Sequence, residues 1–74
     1  MVLDTSALLA LLLNEPEADA FRVAVEEDVT RLVSAATLLE AALVIEARKG
    51  EAGGRELDLL VQKAEIQVVP VDGV

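Results

Sequence analysis

The run from Ser6 to Leu13 constrains this chain more than any other stretch. Its residues suit a helix, and that helix is apolar on every side, so it must be buried rather than laid on a surface. In a chain of 74 residues, such burial requires most of the other elements to pack around it. Directly before it, Val2 and Leu3 form an unbroken apolar pair, which predicts a short, fully buried strand of a parallel sheet. Strand and helix meet at Asp4, Thr5 and Ser6. One carboxylate and two hydroxyls thus stand at the carboxyl end of a strand, where open α/β sheets bind their ligands.

The rest of the chain repeats this alternation. Asn14 closes the first helix, and Pro16 suits the first turn of a second one over residues 16–27. Ala18, Phe21 and Val25 give that helix an inward stripe, while Glu15, Glu17, Asp19, Glu26, Glu27 and Asp28 form its solvated side. Asp28-Val29-Thr30 reads as a turn and Arg31–Ser34 as a second strand. Residues 35–49 are strongly helical and end in Arg48 and Lys49, where cations suit the helix dipole, with Gly50 as the stop. Gly53-Gly54 predicts a flexible break before a fourth helix, Arg55–Ala64, whose Leu57, Leu60, Val61 and Ala64 share a face. Ile66–Val69 is a third strand ended by Pro70. Strands separated by helical crossovers predict a single α/β domain, a three-layer α/β/α sandwich on a parallel sheet. Three short strands leave an edge and a face of that sheet uncovered, so the expected domain is truncated or completed by a partner.

Composition narrows the chemistry. There is no cysteine and no histidine, which removes thiolate chemistry and the usual zinc ligands but leaves hard cations held by oxygen. Fourteen acidic against six basic residues give a net charge of −8, which argues against a general basic surface for nucleic acid. The hydrophobic fraction of 54% exceeds what so short a chain hides, so some apolar surface is expected to meet another surface. Ala7–Leu13 is too short to span a bilayer and lacks a basic flank, so a cytoplasmic protein is expected.

Two acids stand out. Asp4 reads either as a metal ligand or general base, or as the N-cap of the first helix. Thr5 and Ser6 fit both readings, as caps or as donors that orient Asp4. Glu40 lies among Ala36, Leu43, Val44 and Ala47, so it is either desolvated or partnered. Its alternative is a capping box with Thr37, although Ser34 is the better-placed cap. Together, Asp4 and Glu40 could converge on Mg²⁺ or Mn²⁺. Asp72, beside Gly73, reads as a turn residue.

Three segments, Val2-Leu3-Asp4-Thr5-Ser6-Ala7-Leu8, Asn14-Glu15-Pro16-Glu17 and Ser34-Ala35-Ala36-Thr37-Leu38-Leu39-Glu40-Ala41, together resemble PIN-domain proteins. The nearest branch is the VapC toxins of toxin–antitoxin pairs. Arg48-Lys49-Gly50-Glu51 and the Ile66–Val71 strand also resemble that branch. The resemblance covers essentially the whole chain. It implies a Rossmann-like PIN fold and an Mg²⁺- or Mn²⁺-dependent endoribonuclease of type II toxin–antitoxin systems. Asp4 matches the family's first acid, Glu40 its second, and Thr5 and Ser6 the hydroxyls beside the first. It further implies a VapB-type antitoxin partner, an RNA substrate and a homodimer. The family's remaining acids lie in a second half, and Asp72 matches neither. Residues 1–74 are therefore expected to be the N-terminal part of one PIN domain. The alternative is a catalytically inactive module that keeps only antitoxin or dimer contacts.

Overall fold

A computed structural model describes residues 1–70. The elements are α1 (Thr5–Leu12), α2 (Ala18–Glu27), β1 (Leu32–Ser34), α3 (Ala35–Lys49), α4 (Glu51–Lys63) and β2 (Gln67–Val69). β1 and β2 pair in parallel, with Leu32 opposite Gln67 and Ser34 opposite Val69. Val2 makes one parallel bridge to Leu32, on the other edge of β1. Three chain segments therefore run side by side with β1 central, and the α/β fold class expected from the sequence is what forms. Because the segments are parallel, Asp4 and Pro70, which follow two of them, and Ser34, the last residue of β1, stand at their carboxyl ends at one pole of the molecule.

The N-terminal strand is a correction. Leu3 is buried, but Val2 is 77% exposed, and pairing stops at a single bridge. Two backbone bonds fix it: the Leu32 amide donates to the Met1 carbonyl at 2.9 Å, and the Leu3 amide to the Leu32 carbonyl at 2.8 Å. Among the described residues nothing covers its outer edge, so there is no second ladder to extend it. The chain also leaves β2 exposed along its length, so only β1, with Val33 fully buried, is enclosed as a sandwich strand should be.

α1 is the hub that its sequence demands. Ala7, Leu8, Ala10 and Leu11 are buried, and α2, α3 and α4 all pack against it. Leu8, Val33, Ile45 and Leu57 are the largest wholly buried side chains, one each from α1, β1, α3 and α4. Burying one such side chain is worth about 1.5–3 kcal/mol, so these four tie each layer to the hub. α2 buries Ala18 and Val25 of its expected stripe, with Phe21 half-buried beside them.

The fourth helix starts four residues before its expected first residue, Arg55, and runs straight through Gly53-Gly54. The glycines serve close approach rather than flexibility. A Cβ on Gly53 would stand 2.7 Å from the Ile45 carbonyl oxygen and 3.0 Å from the Lys49 Cβ, so only glycine lets α4 lie this close to α3. Gly50 alone makes the turn between the two helices, at φ +65° and ψ −151°, a backbone region open to glycine.

Arg31 does more than open β1. Its guanidinium donates from Nε to the Val25 carbonyl, from Nη2 to Glu26 at 3.3 Å and from Nη1 to Ala64 at 2.7 Å. It thereby satisfies free carbonyls at the ends of both α2 and α4, and so joins the two crossovers. No helix among the described residues is long and apolar enough to cross a membrane.

Candidate active site

The pole at the carboxyl ends of the strands receives the first turns of α1 and α3. Asp4, extended at φ −98° and ψ 175°, caps α1: its Oδ1 accepts the Ala7 amide at 2.8 Å. That bond needs one carboxylate oxygen. Oδ2 has no protein partner among the described residues, and the side chain is exposed. Capping and ligation are therefore compatible in one carboxylate.

α3 is capped by Ser34, whose Oγ accepts the Thr37 amide at 3.0 Å while its hydroxyl donates to Thr37 Oγ1 at 2.9 Å. The capping box between Thr37 and Glu40 does not form, because Ser34 already satisfies that first turn. Glu40 is not desolvated either. It lies exposed, one turn along α3, and its Oε2 accepts from Thr5 Oγ1 at 3.2 Å. Thr5 was expected to cap or to orient Asp4; instead its hydroxyl reaches across 35 residues of sequence to Glu40. The residue that follows Asp4 thus holds Glu40, and this contact brings the two predicted acids to one pole.

Ser6 is exposed on the far side of the same turn, at the rim of a cleft of about 230 Å³ lined by Met1, Val2, Leu3, Asp4, Ala7, Phe21 and Val25. Ser34 and Thr37 sit at the site's pole as well. The sequence marked Ser34 only as a cap, and the serine at i with threonine at i+3 was the signal for their hydroxyl pair. Asp72 lies outside the described residues. Arg48 is exposed; Lys49 pairs with Glu56 at 3.1 Å and so ties the end of α3 to α4, while Arg55 pairs with Glu51 at 3.9 Å within α4.

Carboxylate and hydroxyl oxygens suit a hard cation in kind. In number they fall short of a cage: among the described residues no three acids converge. Water or further ligands would have to complete six-fold coordination around Mg²⁺.

Comparison with known proteins gives this arrangement a family. Residues 1–73 match the PIN domain. Ribonuclease VapC30 of Mycobacterium tuberculosis is 59% identical over 71 residues, which is 96% of this chain and 54% of that protein. Ribonuclease VapC of Mycolicibacterium smegmatis is 53% identical over 72 residues, 97% of this chain and 56% of the relative. Ribonuclease VapC28 of M. tuberculosis is 38% identical over 71 residues, 96% of this chain and 53% of its own length. The chain thus spans about half the length of the curated relatives it matches. With its central parallel β1, its buried α1 hub and a match over residues 1–73, the chain belongs to the PIN-domain family.

Proposed function

We propose that residues 1–74 are the N-terminal part of one PIN domain that acts as an Mg²⁺- or Mn²⁺-dependent endoribonuclease toxin, with Asp4 and Glu40 as metal ligands. The observation that carries this reading is the Thr5–Glu40 hydrogen bond, which ties α3 to the residue beside Asp4 at the carboxyl pole of the sheet. The named activity of the VapC relatives supports the reaction class. When bound, the metal supplies an acidified water and offsets charge on the phosphodiester. The chain's own part is positional. The Ala7 amide fixes one Asp4 oxygen and leaves the other free, and Thr5 fixes the Glu40 carboxylate. The amide-rich first turns of α1 and α3 face the same pole and favour a phosphate there despite the net charge of −8. Thr5 and Ser6 are supporting residues, a VapB-type antitoxin is the protein partner, RNA is the substrate, and the setting is the cytoplasm.

The test uses the longest natural protein that contains these residues. Asp4→Asn and Glu40→Gln should each abolish Mn²⁺-dependent RNA cleavage while circular dichroism stays that of the wild type. Cleavage at the wild-type rate by either variant would overturn the assignment. A second reading, a binding module without catalysis, rests on the lack of a third converging acid among the described residues. It predicts antitoxin binding by the 74-residue chain with no metal-dependent cleavage.

A further inference from the structure

The two carboxylates at the pole share a feature that their distance in sequence hides: the protein holds one oxygen of each. Asp4 Oδ1 accepts the Ala7 amide at 2.8 Å, and Glu40 Oε2 accepts the Thr5 hydroxyl at 3.2 Å. The other two oxygens, Oδ2 and Oε1, accept no protein donor among the described residues, and both side chains are exposed. The two donors differ in kind. The Ala7 amide belongs to the first turn of α1, so Asp4 cannot release it without uncapping that helix. The Thr5 hydroxyl crosses from the start of α1 to α3 and fixes how the Glu40 carboxylate is turned.

Hard cations use carboxylates differently. Mg²⁺ demands a near-ideal octahedron of about six close oxygens, keeps several waters and needs only one oxygen from each acid. Ca²⁺ is larger, fills about six to eight places and often takes both oxygens of one carboxylate. Chelation of that kind at Asp4 or Glu40 must displace or bend a hydrogen bond that the protein already makes. We infer that these two bonds select the ion: each acid offers one oxygen, the pole favours Mg²⁺ over Ca²⁺, and Thr5 sets that preference at Glu40. The inference rests on the reading of Asp4 and Glu40 as metal ligands and adds to it a rank among ions, with the residue that imposes it.

The test measures binding, without RNA, in the longest natural protein that contains these residues. Bound Mn²⁺ is followed by electron paramagnetic resonance while Mg²⁺ or Ca²⁺ is titrated in as competitor. Mg²⁺ should displace Mn²⁺ at lower concentration than Ca²⁺ does in the wild type. Thr5→Val removes the hydroxyl and keeps the branched shape, so it should shrink the Mg²⁺ advantage about three- to tenfold, the scale of one hydrogen bond to a charged group. Thr5→Ser restores the donor and should restore the ratio. A ratio is read because a variant that merely loosens the fold weakens both ions together. Ca²⁺ competing as well as Mg²⁺ in the wild type, or an unchanged ratio in Thr5→Val, would overturn the inference. The ligand reading fails separately, when Asp4→Asn and Glu40→Gln bind Mn²⁺ as the wild type does.

Discussion

Asp4 shows how one residue can hold a structural and a chemical role that mutation separates. Asparagine caps a helix about as well as aspartate, whereas alanine loses the bond to the Ala7 amide. Asp4→Asn should therefore leave urea-unfolding stability within a few tenths of a kcal/mol, and Asp4→Ala should lower it by about 1 kcal/mol. Mn²⁺ binding, followed by calorimetry, should be lost in both. A variant that lost the cap but kept the metal would uncouple the two roles and remove Asp4 from the ligand set. Asp28 carries the clearest pH dependence. The hydrogen bond from the Met1 ammonium, then the Thr30 amide, hold its carboxyl below the ordinary 3.8, with desolvation opposing them. A group lowered in the folded state stabilises above its unfolded value, and that contribution disappears as pH falls through the folded one. Thermal melts from pH 6 to pH 2 should thus show an acid limb that Asp28→Asn makes shallower, and 0.5 M NaCl should shrink the difference by screening.

At the scale of elements, the adjacent glycines of α4 make opposite predictions. Alanine is favoured over glycine inside a helix by about 1 kcal/mol. At Gly54 the added Cβ meets the end of the Glu46 side chain at 2.8 Å, which can swing away, so Gly54→Ala should stabilise by up to that amount. At Gly53 it meets the Ile45 backbone carbonyl at 2.7 Å, which cannot move without parting α3 from α4. Gly53→Ala should cost about 1–3 kcal/mol in the same urea titration, and equal effects at the two sites would refute the close-approach argument. This pair also marks where the sequence stopped being legible. A Gly-Gly dipeptide after Gly50 carries the signature of a break, and only the proximity of α3, a tertiary fact, turns it into a helix interface. Element order, the parallel sheet, the Ala18–Phe21–Val25 stripe and the Ser34 cap were readable because each depends on local spacing. The Thr5–Glu40 bond, the Arg31 clamp and the seat of Met1 on Asp28 join residues that the chain separates by 35, 33 and 27 positions, and no local pattern announces them.

For the whole molecule the deciding quantity is apolar surface left in water. The surplus expected from the composition is present: Leu39 and Leu43, one turn apart on α3, are each 60% exposed, Leu59 on α4 is 50% exposed, and Val2, Val68 and Val69 line the two sides of the small sheet. Such an array favours association over a free monomer, and the net charge of −8 opposes it through like-charge repulsion that salt screens. The 74-residue chain should therefore self-associate more strongly as NaCl rises from 0.05 to 0.5 M, seen as a growing weight-average mass in sedimentation equilibrium. Replacing Leu39 and Leu43 together by Gln removes exposed leucines while Ala41 and Ile45, the buried face of α3, stay intact. That double variant should shift the chain toward monomer and change unfolding stability by no more than about 0.5 kcal/mol for each exposed site. If it associates as the wild type does, the α3 face is not the contact and the open sheet edge at Val2 becomes the surface to block. If it unfolds, those leucines contribute to the core in a way their exposure contradicts, and α3 must sit deeper than its packing on α1 and α4 indicates.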